Sequence, residues 1–210
     1  AGYLLGSIPF GLIIGKLHGI DIRRQGSGNI GSTNVGRVVG KKWGYVCFLF
    51  DVAKGLLPVL VGGRYLRHLY LLEEGQVMPM QGQTAWLLIA AACIVGHMFS
   101  IYLRFRGGKG VATSLGVVLG IWPYFTLTAV VALLIWIGVW GITRYVSLAS
   151  MAAALSFPAA FAGLIGRLES WVFRDLIPLF IFSCVMAGLV IVKHRSNIRR
   201  LLAGTENRGK

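Results

Sequence analysis

Seven apolar stretches, each long enough or nearly long enough to cross a lipid bilayer, follow one another along this chain and dictate its fold class. They lie at roughly 1–18, 43–62, 84–105, 110–124, 125–142, 145–166 and 175–193. About 20 apolar residues cross the hydrocarbon, where no water satisfies backbone N–H and C=O groups, so each stretch must be helical. A chain that is 56% hydrophobic and 13% charged lies outside the range of soluble domains. The expected fold is all-α: a polytopic membrane protein of about seven transmembrane helices, forming one integral-membrane domain over residues 1–210. Only Trp122, Pro123 and Tyr124 separate the fourth and fifth stretches, which are either two short helices or one kinked unit. No segment reads as a removable signal peptide, and the apolar run already under way at Ala1 leaves room for more of the first helix upstream. Cys47, Cys93 and Cys184 sit within apolar stretches, where they are expected to pack as small hydrophobes, with no disulfide framework and no zinc site.

The basic residues predict the orientation. With the N-terminus outside and the C-terminus cytoplasmic, the inner segments carry Lys16, Arg23, Arg24, Arg37, Lys41 and Lys42, then Arg104, Arg106 and Lys109, then Arg144, then Lys193, Arg195, Arg199, Arg200, Arg208 and Lys210. The outer segments hold only Arg64, Arg67, Arg167 and Arg174, and these share their loops with Glu73, Glu74, Glu169 and Asp175. The net charge of +14 therefore reads as loop charge facing anionic lipid, and no nucleic-acid partner is expected. Every polar, glycine-rich or basic cluster falls on one face, as an enzyme using a soluble cytoplasmic substrate requires. The alternative, a small transporter of phosphate or a phosphorylated metabolite, should place polar groups near the midplane. Asp51 and Lys54, at i and i+3 on the second helix, are the intramembrane ionisable pair, read as a structural ion pair that neutralises itself. The GxxxG spacings Gly11/Gly15 and Gly116/Gly120 predict close helix packing.

Three inner clusters could carry chemistry. The segment GHMFSIYLRFRGGKGVAT, Gly96 to Thr113, sets Lys109 among Gly107, Gly108 and Gly110 just before an apolar helix. Glycines let backbone N–H groups approach an anion, and the positive end of the helix faces the same point, so this is a phosphate site or a hairpin whose charges only fix topology. The first loop, GSGNIGSTNVGR from Gly26 to Arg37, matches G-x-G-x-x-G but has no strand in reach, which rejects a dinucleotide fold. Its local physics survives: Ser27, Gly28, Asn29, Ser32, Thr33 and Asn34 offer small donors beside Arg37, a bidentate anion clamp. GGKG is no Walker A loop, and few of the seven Asp and Glu residues lie on the inner side, so neither a magnesium-dependent kinase nor a metallohydrolase is expected. Ser147, in the short third inner loop, reads as a helix cap or a further phosphate donor. At the C-terminus, KHRSNIRRLLAGTE from Lys193 to Glu206 places His194 and Asn197 on one face of a helix continuing from the seventh span. His97, at the inner end of the third span, is the other histidine placed for proton chemistry or anion contact.

In order and wording these clusters resemble the three cytoplasmic motifs of the bacterial acyl-phosphate:glycerol-3-phosphate acyltransferase family, and YLLGSIPFG and FDVAKG extend the resemblance along the chain. The resemblance implies transfer of a fatty acyl group from acyl phosphate to the 1-hydroxyl of glycerol 3-phosphate, giving lysophosphatidic acid and phosphate, at the cytoplasmic face of the bacterial inner membrane. It assigns function to Ser27, Arg37, Lys109 with its glycines, His194 and Asn197, a phosphate contact to Ser147, and a structural role to Glu206. The resemblance implies no metal or organic cofactor; membrane lipid is the surrounding partner, and no obligatory protein partner is evident.

Acyl phosphate is a mixed anhydride with a good leaving group, so positioning and charge stabilisation are the main demands. Holding alcohol and carbonyl together supplies on the order of 7 kcal/mol in well-aligned cases. No His-x-x-x-x-Asp dyad exists: the residues five after His18, His68, His97 and His194 are Arg23, Glu73, Tyr102 and Arg199. Acyltransferases that depend on that dyad are excluded.

Overall fold

Pro9 shapes the start of the chain. It lacks an N–H and pushes Ile8 out of helical geometry (φ −58°, ψ 119°), so the first apolar stretch is two short helices, α1 (Gly2–Ser7) and α2 (Phe10–Leu17), and not one span. This computed structural model describes residues 1–73, 75–168 and 171–208; Glu74, Glu169 and Lys210, used above to read orientation, lie outside them. Among the described residues every regular element is helical. After α3 (Ser32–Val38) come α4 (Lys41–Leu69), α5 (Met80–Met98), α6 (Val111–Gly120), α7 (Thr126–Thr143), α8 (Val146–Ile165), α9 (Ile177–Lys193) and α10 (Arg195–Leu202).

Among the described residues five helical segments are long and apolar enough to cross a membrane: Lys41–Leu69, Met80–Leu103, Thr126–Thr143, Val146–Ile165 and Phe173–Lys193. Of the seven expected stretches, the first is divided by Pro9 and the fourth forms only the ten residues of α6. At 1.5 Å per residue α6 is about 15 Å long, half the thickness of the hydrocarbon. Large apolar side chains remain exposed along these helices, Leu133, Leu134 and Ile137 of α7 among them, and only 11% of the α7 span is buried. In water that surface would be untenable; in lipid it is the solvent-facing side. Cys47 and Cys93 are buried free thiols as expected, but Cys184 is exposed, on a face of α9 left to lipid.

The chain divides into two compact units. The first comprises residues 1–65 and 88–120. Its helices meet through glycines: a methyl group on Gly6 would come within 2.1 Å of the Cys93 carbonyl, and one on Gly116 within 2.0 Å of Val52. Gly11, by contrast, receives the Ile30 carbonyl, so this GxxxG glycine packs a loop against a helix. Beneath that loop Leu12, Ile14, Ile22, Ile30, Val35, Cys47 and Leu103 form an apolar cluster. Ile22 and Val35 are wholly buried, each contributing about 1.5–3 kcal/mol.

The second unit comprises residues 66–87 and 121–210. Phe125 sits edge-on to Phe157 and Phe161 at 5.1 and 5.0 Å, and Trp171 packs against Phe161 and Tyr124. The Tyr124 hydroxyl accepts from Met78 N (2.9 Å), and Gln83 Nε2 donates to the carbonyls of Met78 and Asp175, both at 2.7 Å. This polar knot ties the loop before α5 to the start of α9. At the other end of the unit, Arg144 closes the α7–α8 turn in the left-handed region (φ 61°), its guanidinium over Trp140.

Candidate functional site

In the first unit, residues 21–37 form a loop built around one buried side chain. Asn34 is 2% exposed; its Oδ1 accepts from Ser27 N (2.9 Å), and its Nδ2 donates to the carbonyls of Ile22 (3.0 Å) and Gln25 (3.1 Å). The amide expected to meet phosphate is therefore occupied in shaping the loop. Gly26 and Gly28 take positive φ (60° and 68°), and a methyl group on Gly26 would lie 2.3 Å from Asn34 Oδ1, so only glycine fits there. Asn29 Oδ1 accepts from Gly31 N at 2.8 Å, a turn internal to the loop. Arg23 pairs with Asp21 at 2.7 Å, and that hydrogen bond holds the Asp21 carboxyl down at about 2. With the backbone pinned in this way, Ser27 and Gly28 stay exposed, and so do Thr33 and Arg37, one turn apart on the outer face of α3.

The second motif folds back on the end of α5. Gly108 N donates to the His97 carbonyl (3.1 Å) and Gly107 N to the Met98 carbonyl (3.2 Å). A methyl group on Gly107 would come within 2.0 Å of the His97 carbonyl, one on Gly108 within 2.3 Å of His97 Nε2, and one on Gly110 within 2.5 Å of Met98 Cε. All three glycines are thus demanded by close approach to α5. The Gly110 carbonyl accepts from Ser114 N (2.7 Å), making Gly110 the residue that opens α6. Lys109 therefore stands one residue ahead of the helix whose leading N–H groups carry positive partial charge. The expected ion pair is present, Lys54 Nζ to Asp51 Oδ1 at 2.7 Å, but it has a third member: His97 Nδ1 lies 3.7 Å from the same oxygen. The i, i+3 spacing revealed the pair; nothing local in the sequence pointed to the histidine 46 residues away.

In the second unit the helix expected to run on from α9 stops at His194. The His194 N–H is shared between the carbonyls of Val190 and Ile191, Nδ1 lies 2.8 Å from the Val190 carbonyl, and the backbone relaxes to φ −94°, ψ 6° before α10 begins. The Nδ1 hydrogen bond to a carbonyl places the proton there and leaves the lone pair on Nε2. Three side chains converge on Glu206: Ser147 Oγ donates to Oε1 (2.7 Å), Asn197 Nδ2 to Oε1, and Arg200 Nε to Oε2 (2.7 Å). Burial alone would raise the Glu206 carboxyl, but these hydrogen bonds and the guanidinium charge outweigh it and hold it below the ordinary 4.5. Ser147 is neither cap nor open donor here: it is the second residue of α8, and its hydroxyl is engaged by Glu206. Arg200, which the motif reading left to lipid, is a clamp member. Asn197 is 3% exposed, and its Oδ1 has no hydrogen-bond partner among the described residues.

Chemically, the first unit offers the exposed hydroxyls of Ser27 and Thr33, the exposed Arg37 guanidinium and the half-buried Lys109. The second offers a histidine anchored through Nδ1 and a buried amide oxygen beside a satisfied carboxylate.

Comparison with known proteins gives one consistent answer. The profile of the family described as glycerol-3-phosphate acyltransferase matches residues 1–204. A glycerol-3-phosphate acyltransferase of Trichlorobacter lovleyi is 46% identical over 209 residues, covering 99% of this chain and 94% of that protein. The one of Aquifex aeolicus is 40% identical over 208 residues, covering 98% and 94%. The crystal structure of PlsY (YgiH), an integral membrane glycerol 3-phosphate acyltransferase, is similar in its glycerol 3-phosphate form with a TM-score of 0.81 and 37% identity, covering 100% of this chain and 92% of that one. Its lysophosphatidic acid form gives 0.79 and 37%, covering 99% and 91%.

Proposed function

The chain belongs to the glycerol-3-phosphate acyltransferase family and is an integral-membrane acyltransferase acting on glycerol 3-phosphate, and we propose that its acyl donor is an acyl phosphate. The observation that carries this reading is the GGKG turn: its backbone is tied to α5 by two hydrogen bonds, and it presents Lys109 at the opening of α6. Ammonium, glycine backbone and helix N-terminus together suit a phosphorylated ligand. A mixed anhydride also suits a chain without a His-x-x-x-x-Asp dyad, since the donor arrives already activated.

In the proposed reaction Arg37 and Lys109 hold phosphate groups while Ser27 hydrogen-bonds the developing oxyanion. In the second unit the motif assigns positioning to Asn197, whose buried Oδ1 has no hydrogen-bond partner among the described residues, and proton movement to His194. The ester C–O bond forms, the acyl–phosphate C–O bond breaks with its electron pair leaving on phosphate, and the hydroxyl proton passes to a substrate phosphate oxygen. Lysophosphatidic acid and inorganic phosphate result. Gly28 and Thr33 stay exposed as phosphate contacts, Asn29, Asn34, His97, Gly107, Gly108 and Gly110 hold the backbone of the first unit, Ser147 holds Glu206, and the whole chain works as one acyltransferase domain. Basic-residue asymmetry supports a cytoplasmic C-terminus and an active face on the cytoplasmic side of the bacterial inner membrane, with the N-terminus outside; seven crossings would require residues 1–18 and α6 to count as membrane passages.

Radiolabelled glycerol 3-phosphate supplied with acyl phosphate, acyl carrier protein thioester or acyl coenzyme A in turn tests the donor. Lysophosphatidic acid is expected with acyl phosphate alone, and product from either thioester without it would overturn the assignment. Lys109→Ala and Arg37→Ala are expected to abolish transfer in protein that still folds, a loss on the order of 10²-fold or more.

A further inference from the structure

Asp51 and Lys54 are 2% and 7% exposed, and as a pair they already neutralise each other. Two charges that merely cancelled would require no further polar partner. Yet Asp51 Oδ1 also faces His97 Nδ1, and His97, 4% exposed, abuts the GGKG turn on two sides. Its carbonyl accepts the Gly108 N–H, and its Nε2 occupies the place where any side chain on Gly108 would project. The far end of the run is equally fixed: Lys54 Nζ donates to the Ile8 carbonyl at 2.8 Å, the acceptor at the Pro9 break between α1 and α2. Cys47 Sγ lies 3.7 Å from the other Asp51 oxygen. Contacts therefore pass without interruption from the α1–α2 break through Lys54, Asp51 and His97 to Gly108, one residue before Lys109. All of these residues belong to the first unit. At 3.7 Å the Asp51–His97 contact is electrostatic, longer than a hydrogen bond, and contacts of this kind tighten when a substrate completes a site.

We propose that Asp51 is a positioning residue for acyl transfer: its carboxylate holds the His97 ring by Nδ1, so that the Nε2 edge supports the Gly107–Gly108 turn and Lys109 is delivered to a substrate phosphate. The proposal rests on reading that turn as a phosphate site. It departs from the simple ion pair in making the carboxylate's effect on catalysis run through the imidazole.

The test uses full-length protein in lipid nanodiscs, with kcat, KM for both substrates and Tm measured for Asp51→Asn, His97→Asn, His97→Gln and Asp51→Asn/His97→Gln. Asparagine places its amide nitrogen near the position of Nδ1, glutamine near that of Nε2. The expected result is that Asp51→Asn and His97→Asn raise KM for at least one phosphorylated substrate about tenfold or more while kcat falls by less. His97→Gln, which keeps a group at Nε2 but loses the Nδ1 contact, should show a KM defect of the same order as Asp51→Asn, and Asp51→Asn should add nothing in its background. Wild-type kinetics in folded Asp51→Asn, or losses that multiply in the double variant, would overturn the proposal. Where Asp51→Asn does not fold, His97→Gln decides: wild-type KM for both substrates there makes Nδ1 dispensable and overturns the proposal. Lys109→Ala, assayed alongside, separates the two levels of argument. Full activity there sinks the phosphate reading of the turn, whereas lost activity there with unaltered His97→Asn kinetics sinks only the Asp51–His97 couple.

Discussion

The loop at residues 21–37 and the tail at 194–208 are each held in shape by one side chain, but the chemistry of the holding differs. Asn34 brackets its loop with neutral amide hydrogen bonds to three backbone groups. Glu206 clamps its tail with a carboxylate that gathers a hydroxyl, an amide and a guanidinium from three side chains. Backbone partners let the first loop keep its side chains exposed for a ligand. Side-chain partners commit the second cluster to itself, and Asn197 retains only its Oδ1 for other work. The contrast teaches that motif residues divide into those that meet substrate and those that keep the former in place, a division invisible in the motif spelling.

The strongest way to break the contrast is at the clamp. Glu206→Gln keeps one acceptor oxygen of two and loses the charge, so either Arg200 or the Ser147–Asn197 pair faces an amide NH2 instead of an acceptor, and a stranded buried Asn197 donor costs about 1–3 kcal/mol. Acyl transfer should fall on the order of 10²-fold as Asn197 loses its position. A normal kcat/KM in this variant would mean that the carboxylate does not organise the tail. Asn34→Ala comes next: loss of three hydrogen bonds should loosen residues 25–31 by about 2–3 kcal/mol, read as faster amide hydrogen exchange in that segment with little change in residues 195–206.

Two left-handed glycines sharpen the comparison further. Gly204→Ala has open space around the new methyl group and should cost about 1 kcal/mol for the backbone alone. Gly26→Ala meets the same backbone penalty plus the Asn34 oxygen, so its Tm should fall clearly further; equal shifts would deny Asn34 its bracketing role.

The smallest effect near neutrality, and the most selective, is acid. Because the folded Glu206 carboxyl lies below 4.5, its contribution is complete above that value and is lost as pH falls through the folded value. The Asn34 bracket has no titrating group, and its neighbour Asp21 holds its charge down to about 2. Hydrogen exchange followed from pH 7 downward should therefore release the tail before the loop, and simultaneous release would contradict the two-chemistry account.

Much of this was legible in the linear sequence. Apolar stretches located α7 and α8 to within a few residues, although Pro158 lies inside α8. The failures have local causes: Pro9 split the first stretch, α6 ended at Gly120 ahead of Pro123, and the His194 imidazole took the carbonyl of its own preceding turn. The glycines of the GGKG turn were assigned to anion approach, whereas their immediate structural demand is the close packing of the turn on α5.

By itself, the sequence determined a helical membrane protein with three polar clusters of phosphate-handling composition, because residue type and short spacing are enough to set hydrophobic periodicity, loop charge and motif identity. Only the tertiary structure decided which polar groups are already spent. Asn34, Ser147 and Asn197 looked alike as donors, and Asp51 looked like half of a pair. Their partners lie as far away as Glu206 is from Ser147 or His97 is from Asp51, and contacts of 2.7 and 3.7 Å between such residues exist only once the chain has folded back to make them.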